Sequence, residues 1–183
     1  MEQVKSFYET PSPAGLTGIK AWLLTHDHKR LALMYLWAVF FWLVLAVFLG
    51  MALRLELMFI GETIMPPEIY NAFFTLHGVI MIFLFVIPAI PAIFGNFFLP
   101  IQIGADDVFF PRLTLLSCYL YMFGGLLAVI SLFTGDGFAD TGWTFFFPFS
   151  VTSETNVSLT VTAAFILGMS SMLTGLNFVT TVH

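Results

Sequence analysis

Charge is what this sequence has least of. Only 9% of its 183 residues are Asp, Glu, Lys or Arg, compared with about a quarter in an ordinary soluble domain, and 59% are apolar. The mean hydropathy is +0.96. These values exclude a soluble domain and indicate an integral membrane protein surrounded by lipid. The net charge of −5 and the lack of a Lys and Arg cluster argue against a nucleic-acid partner.

Cysteine is almost absent as well. The single Cys118 lies in an apolar run, so the chain has no disulfide framework. The first 30 residues lack the apolar stretch of a signal peptide, and the first membrane helix is therefore expected to act as the insertion signal. Phenylalanine, by contrast, occurs 23 times. Aromatic rings suit lipid-facing helices, and they also pack well against a large flat cofactor.

Four long apolar segments are present, and each meets the requirement of about 20 residues for one crossing. They predict an all-α polytopic membrane protein whose crossings lie at residues 31–54, 72–100, 113–133 and 155–182. Residues 1–30 are expected to form a cytoplasmic arm and an interfacial segment, and residues 31–183 a four-helix transmembrane domain. Pro88 and Pro91 should distort the second crossing, so neighbouring helices must satisfy the freed carbonyls.

The positive charges are distributed unevenly along the chain. Four of the six precede the first crossing, and Arg112 lies between the second and third crossings. The other two loops carry acids such as Asp136 and Asp140 but no Lys or Arg beyond the end of the first crossing. By the positive-inside rule the N-terminus and the C-terminus are both cytoplasmic, most simply in a bacterial inner membrane.

One histidine, His77, lies inside the second crossing. An imidazole in hydrocarbon is costly unless it is paired or bound, so it is a candidate axial ligand of a heme iron. A histidine that is only hydrogen-bonded between helices is the more common case for this residue type. Arg54 ends the first crossing at the same membrane face. Its guanidinium either reaches water or donates hydrogen bonds to a cofactor.

Polar residues also occur in the inner halves of the helices, near the acidic turn that contains Asp106 and Asp107. A solvated loop is the ordinary explanation of such an acid pair. Polar side chains that lead away from an acid are what a proton path requires, and they equally suit interhelical hydrogen bonds worth about 0.6 kcal/mol each. Both interpretations stay open. The residues concerned are Tyr35, Asn96, Thr114, Ser117, Ser170, Ser171 and Asn177.

Five collinear runs carry a family resemblance that extends from about Trp22 to the last residues of the sequence. They are THDHKR, TLHGVIMIFLFVIPA, FGNFFLPIQIGADDVFFPRL, GWTFFFP and GMSSMLTGLNFVTT. Together they closely resemble subunit I of the heme-copper oxidases, in particular its cytochrome c oxidase branch. The resemblance implies that the chain forms the N-terminal four helices of a twelve-helix fold.

The resemblance also implies roles for individual residues. His77 corresponds to an axial ligand of a low-spin heme, of a type rather than b type, and Asp107 to the mouth of a proton-uptake path. Thr114 stands where the family usually has asparagine, which puts proton coupling in question. The residues that correspond to neighbours of that heme are Arg54, Tyr70 and Trp143. The residues that correspond to the proton path are Tyr35, Asn96, Ser117, Ser170, Ser171 and Asn177.

Other parts of the family's machinery have no counterpart in this sequence. A second heme and a copper ion are expected in the complete subunit, with ligands on later helices. The remainder of subunit I, as a separate chain or a missing portion, other oxidase subunits and membrane lipid are therefore expected partners. Cytochrome c is the expected electron donor, because apolar residues stand where the quinol-oxidising branch has polar ones. These residues are Leu45, Leu49, Ile69 and Ala72.

The functional hypothesis is therefore part of the catalytic subunit of a proton-pumping terminal oxidase, which is not catalytically complete alone. The alternative is a cofactor-free helical scaffold or transporter subunit. A relative of the nitric oxide reductases is disfavoured by the GADD turn and by the serines of the fourth crossing.

Overall fold

The computed structural model describes residues 18–61, 64–134, 137 and 139–183; most of the predicted N-terminal arm and Asp136 lie outside this part. All regular structure in the described residues is helical. Four of the helices are long and apolar enough to cross a membrane, which confirms the predicted number of crossings. The helices are α1 (Ile19–Leu23), α2 (His28–Glu56), α3 (Pro67–Ile103), α4 (Pro111–Ile130), α5 (Phe149–Thr152) and α6 (Val157–Val182).

Two residues of the THDHKR run, Thr25 and Asp27, form hydrogen bonds at the N-terminus of α2. The Asp27 carboxylate accepts hydrogen bonds from the backbone N–H groups of Lys29 at 2.8 Å and Arg30 at 3.2 Å. The hydroxyl of Thr25 in turn accepts from the N–H of Asp27 at 3.2 Å. An acidic side chain at this position satisfies N–H groups that have no partner within the helix. The run thus has a structural role in addition to any functional one.

Helix α3 begins five residues earlier than the sequence predicted, at Pro67. A proline is well suited to the first helical turn because its missing N–H would be unpaired there. The preceding loop is held by Glu56, whose carboxylate accepts from the N–H groups of Ile64 at 2.8 Å and Met65 at 3.2 Å. His77 consequently lies about 15 Å along the helix from its start.

The middle of α3 is widened rather than regular. Two segments of π-type hydrogen bonding, Ile80–Val86 and Ala89–Gly95, flank Pro88. Pro88 has no N–H to donate to the carbonyl of Leu84 four residues earlier. The hydroxyl of Tyr121 on α4 donates to that carbonyl at 2.6 Å instead. This confirms the prediction that a neighbouring helix satisfies a carbonyl freed by proline.

The buried interior lies where the four long helices meet. On α2, residues at helical spacing such as Leu31, Tyr35 and Trp42 are buried in it, whereas Phe41 and Phe48 point outward and are exposed. Outward-facing aromatic and aliphatic side chains are expected where a helix borders lipid. Helices α4 and α6 also pack extensively against each other. This pairing brings the polar residues of the two helices together.

Candidate functional site

His77 projects from α3 toward α2 and is half-buried. Its Nδ1 lies 2.8 Å from the carbonyl oxygen of Ala46. Since a carbonyl can only accept, the hydrogen is on Nδ1 and the lone pair is on Nε2. The described residues provide no hydrogen bond to Nε2. The interhelical hydrogen bond and the ligand hypothesis are therefore compatible, because metal-binding histidines ordinarily donate their other ring N–H to such an acceptor.

The close approach of the His77 ring to α2 depends on Gly50. A Cβ atom at position 50 would lie 3.0 Å from Cε1 of His77 and 3.4 Å from its Nδ1. The glycine is one helical turn beyond Ala46, so both residues are on the face of α2 that meets the imidazole. Any side chain here would push the ring away from its carbonyl acceptor. Sequence reasoning missed this residue, because a glycine in an apolar helix carries no distinctive signal.

The residue after His77 positions Trp143. A Cβ on Gly78 would lie 2.8 Å from Cδ1 of the Trp143 ring, so the indole rests directly on the α3 backbone. The loop that carries Trp143 is fixed by a hydrogen bond from the N–H of Gly142 to the hydroxyl of Thr75, at 2.8 Å. Thr75 is fully buried, and sequence reasoning did not single it out. Its only signal was a hydroxyl two residues before the histidine.

The other two predicted cofactor neighbours lie near the C-terminus of α2 and the N-terminus of α3. Arg54 is exposed, one turn beyond Gly50 on the same face of α2. Tyr70 is half-buried, about two turns before His77 on α3. By helical spacing Arg54 lies on the face of α2 that carries Ala46 and Gly50, and Tyr70 on the face of α3 that carries His77. The four predicted cofactor residues therefore lie on α2 or α3 or, in the case of Trp143, pack against α3.

This region suits heme iron better than a bare metal ion. The described residues contain no group of three or more His, Cys, Asp or Glu side chains able to hold an ion by themselves. A heme brings four ring nitrogens and needs only axial ligands from protein, which a neutral imidazole with a free Nε2 supplies. The oriented His77 and the glycine that makes room for it fit this group.

Asp107 lies at the opposite end of the bundle, in the turn between α3 and α4. Its Oδ1 accepts hydrogen bonds from Nδ1 of His28 at 3.1 Å and from the N–H of Val108 at 2.7 Å. The Asp107 side chain is 33% exposed, whereas its neighbour Asp106 is exposed. His28 is buried, and its Nε2 has no partner among the described residues. The sequence placed His28 at this face but did not pair it with the carboxylate.

Asn177 of α6 holds the beginning of α4. Its Oδ1 accepts from the N–H of Phe110 at 2.9 Å, and its Nδ2 donates to the carbonyl of the same residue at 3.1 Å. Nδ2 also donates to the hydroxyl of Thr114 at 2.6 Å. Asn177 and Thr114 are both buried. One amide side chain thus satisfies the backbone at a helix start and joins it to a second helix.

Ser117 is the centre of the hydrogen bonding further along α4. Its hydroxyl lies 2.9 Å from the Tyr35 hydroxyl and donates to the carbonyl of Thr114 at 2.8 Å. The hydroxyl of Thr174 donates to Ser117 Oγ at 3.2 Å, and Ser170 donates to the Ser117 carbonyl at 2.6 Å. We call these connected side chains the polar cluster. Its members are Tyr35, Thr114, Ser117, Ser170, Thr174 and Asn177.

Two predicted path residues do not join the polar cluster. Asn96 donates to the carbonyl of Ala92 at 2.9 Å, and its Oδ1 is buried without a partner among the described residues. Ser171 donates to the carbonyl of Gly168 in its own helix at 2.8 Å. Ser171 nevertheless lines a small enclosed cavity beside Tyr35 and Ser170. Its volume of about 10 Å³ is at the lower limit of the space that one water molecule needs.

Asp107 and the polar cluster are close along the chain but not bonded to each other in the described residues. The shortest connection is through Phe110, three residues after Asp107, whose backbone binds Asn177. The structure therefore brings together five of the eight predicted path residues and adds Thr174. It leaves the partly exposed Asp107 paired with the buried His28, outside the polar cluster.

These features define a polytopic helical membrane protein with an oriented intramembrane imidazole toward one face and a buried hydroxyl and amide cluster toward the other. Residues 30–183 match the family model described as Cytochrome C and Quinol oxidase polypeptide I, and the chain belongs to that family.

Individual relatives agree with the family assignment. The chain is 39% identical over 157 residues to cytochrome c oxidase subunit 1 of Thermostichus vulcanus, covering 85% of this chain and 28% of the relative. It is 42% identical over 129 residues to the subunit of the same name of Alkalihalophilus pseudofirmus, covering 70% and 20%. The corresponding Corynebacterium efficiens subunit is 33% identical over 181 residues, covering 95% and 31%. The chain thus spans less than a third of the length of these relatives.

Proposed function

We propose that this chain is part of the catalytic subunit of a proton-pumping cytochrome c oxidase, in which His77 ligates a low-spin heme and Asp107 begins a proton-uptake path. The observation that carries the proposal is the hydrogen bond from Nδ1 of His77 to Ala46, which leaves Nε2 available as a ligand. The relatives, which are cytochrome c oxidase subunits 1, support the same enzyme.

The residues around His77 have complementary roles in this proposal. The Ala46 carbonyl fixes the imidazole tautomer and increases the basicity of Nε2, as second-layer acceptors do for metal ligands. Arg54 would donate hydrogen bonds to a polar substituent at the heme edge, and Tyr70 and Trp143 would pack beside it. When bound, the heme supplies one-electron transfer, with a potential set by its axial ligand and surroundings. An a-type heme is proposed on the family resemblance.

The proton path is proposed to begin at Asp107 and to continue through the polar cluster. A carboxylate at the surface can exchange protons with water, and each hydroxyl of the cluster can both donate and accept a hydrogen bond. A bridging water in the small cavity would extend the path past Ser170 and Ser171. Asn96 is proposed to join through such a water, because its buried Oδ1 has an unused acceptor site. Thr114, with a single hydroxyl, is expected to bind fewer waters than asparagine would.

The remaining parts of the proposal concern partners and placement. The rest of subunit I and other oxidase subunits would complete the enzyme, including the second heme and the copper ion. Cytochrome c is the proposed electron donor, supported by apolar side chains at Leu45, Leu49, Ile69 and Ala72. The proposed location is a bacterial inner membrane, with the Asp107 turn on the cytoplasmic side, supported by the distribution of Lys and Arg.

The test of the heme proposal is an absorption spectrum of the purified complex that contains the full chain. His77→Ala is expected to abolish the low-spin heme bands in the reduced-minus-oxidised spectrum, because no other described imidazole is near. His26→Ala, which removes an exposed histidine at the other end of the fold, is the matched control. A colourless wild-type complex would contradict the heme role and support the scaffold alternative.

The proton-path proposal is tested separately with Asp107→Asn, which keeps the size of the side chain but removes its titratable group. The variant is expected to slow oxygen consumption and proton release by about tenfold or more, on the scale of losing a positioned proton donor. Asp106→Asn is the matched control, since Asp106 is the adjacent exposed acid. Normal proton release by the Asp107→Asn variant reconstituted in vesicles would rule out the uptake role.

A further inference from the structure

Arg112 is a positive charge whose position the fold does not explain. It lies in the first turn of α4 and is exposed, and it forms no ion pair within the described residues. A cation in a first helical turn is opposed by the helix dipole, so the charge does not help to form α4. The adjacent acids do not neutralise it, because Asp107 is bonded to His28 and Asp106 makes no ion pair in the described part.

Beside Arg112 lies a groove of about 590 Å³ at the end of the bundle that carries the Asp107 turn. Its walls are mostly apolar, and its charged edge is formed by Arg112 with His26 nearby. Phe109 and Phe110 are 64% and 44% exposed, although both are large apolar side chains. A groove with one cation at its rim and an apolar wall is complementary to an amphipathic anion. The lining residues are His26, Phe109, Phe110, Pro111, Arg112, Leu113 and Leu176.

We propose that this groove binds an anionic phospholipid, with the phosphate at Arg112 and an acyl chain along Leu113, Leu176 and the phenylalanine rings. The groove spans the last residues of the α3–α4 turn and the first turn of α4, where headgroup and hydrocarbon meet. Basic pockets between transmembrane helices at this level bind anionic lipid headgroups.

The commitment to lipid rests on charge complementarity. The guanidinium of Arg112 can bind a lipid phosphate through two parallel hydrogen bonds. The exposed apolar wall next to it would favour an acyl chain over a free phosphate ion. This inference concerns a surface distant from His77, and it does not depend on the heme proposal.

The first experiment measures lipid selectivity of the complex containing the full chain. Spin-labelled phosphatidylglycerol and phosphatidylcholine are compared for their immobilised fraction in vesicles made of phosphatidylcholine. Arg112→Ala is expected to lower the preference for phosphatidylglycerol about fivefold, the factor for one cation at an anionic lipid. Arg112→Lys should keep part of the preference, because the charge remains and the paired hydrogen bonds are lost. An unchanged preference in the Arg112→Ala variant would overturn the site.

A control and a second measurement identify the occupant. Lys20→Ala removes an exposed cation on α1 that does not line the groove, and it should leave the preference unchanged. An equal loss in that variant would show general surface attraction and contradict a specific site. A photo-crosslinking p-benzoylphenylalanine placed at position 176 should give an adduct with the mass of a phospholipid. A cross-link to a polypeptide instead would show that a protein segment fills the groove.

Discussion

At the scale of single residues, the state of His77 is determined by two positions on the opposite helix. The Ala46 carbonyl selects the tautomer, and Gly50 sets the distance between the imidazole and α2. Ala46 acts through its backbone carbonyl, and Gly50 acts because it has no side chain. The residue that carries the chemistry was therefore recognisable in the sequence, whereas the residues that orient it were not.

Gly50→Ala is expected to disturb this arrangement. The new Cβ would lie 3.0 Å from Cε1 of His77, so the ring must move and the hydrogen bond to Ala46 must lengthen. Forcing extra volume into a packed interface costs about 1–3 kcal/mol, and the thermal midpoint of the complex should fall. The heme bands should shift in the same variant. Gly168→Ala is the matched control, because a Cβ there has no atom within 4 Å; an equal effect of both changes would contradict the packing argument.

At the scale of helices, the α4–α6 pair is held together by polar side chains as well as by packing. Asn177 contributes most to this, since it satisfies both backbone groups of Phe110 and the hydroxyl of Thr114. The polar cluster thus has a structural role that is independent of any proton transfer. The sequence left interhelical hydrogen bonding and a proton path as alternatives; the proposed path would use the side chains that form the interhelical hydrogen bonds.

Asn177→Leu tests the structural role. The leucine has a similar size but leaves the N–H of Phe110 without its acceptor and removes the amide donor to the Thr114 hydroxyl, whereas the Phe110 carbonyl still accepts from the N–H groups of Leu113 and Thr114. An unsatisfied buried group costs about 1–3 kcal/mol, so a loss of that size in the free energy of unfolding is expected. Denaturant titration in mixed micelles measures it. Thr180→Ala removes a hydroxyl bonded only to its own helix and should change stability by less than about 0.5 kcal/mol; a similar loss there would contradict the interhelical explanation.

At the scale of the whole molecule, the four crossings place the Asp107 turn and the Trp143 loop on opposite membrane faces. Asp106 and Phe146 mark these two ends, and both are exposed. The positive-inside rule assigns the Asp106 side to the cytoplasm. Cys118, the only native thiol in the sequence, is buried and should not react. The chain therefore suits a labelling experiment without removal of its own cysteine.

Phe146→Cys is expected to react with a membrane-impermeant maleimide in intact cells. Asp106→Cys should react only after the membrane is permeabilised, because the positive-inside rule predicts that its loop faces the cytoplasm. Labelling is measured by mass spectrometry of the purified chain, with the wild-type chain as the background. The reverse pattern would invert the proposed topology and place proton uptake on the outer side.

The number and approximate positions of the membrane helices were predictable, because each crossing depends only on the residues within it. About 20 consecutive apolar residues are sufficient to define a membrane helix, whatever packs against it. The start of α3 was missed by five residues, because its first residues, PEIYN, include proline, glutamate and asparagine and do not resemble an apolar crossing. The prediction that a neighbouring helix satisfies a carbonyl freed by proline in the middle of α3 was confirmed. The choice of Tyr121 as the donor depended on how α4 packs against α3.

What the amino-acid sequence determined by itself is the membrane class, the four helices and the residues able to do chemistry, because these follow from residue type and local run length. Only the tertiary structure decided which of those residues meet. The His77–Ala46, Gly142–Thr75 and His28–Asp107 contacts join residues 31, 67 and 79 positions apart. Contacts at such separations are set by helix packing, which a local pattern does not encode.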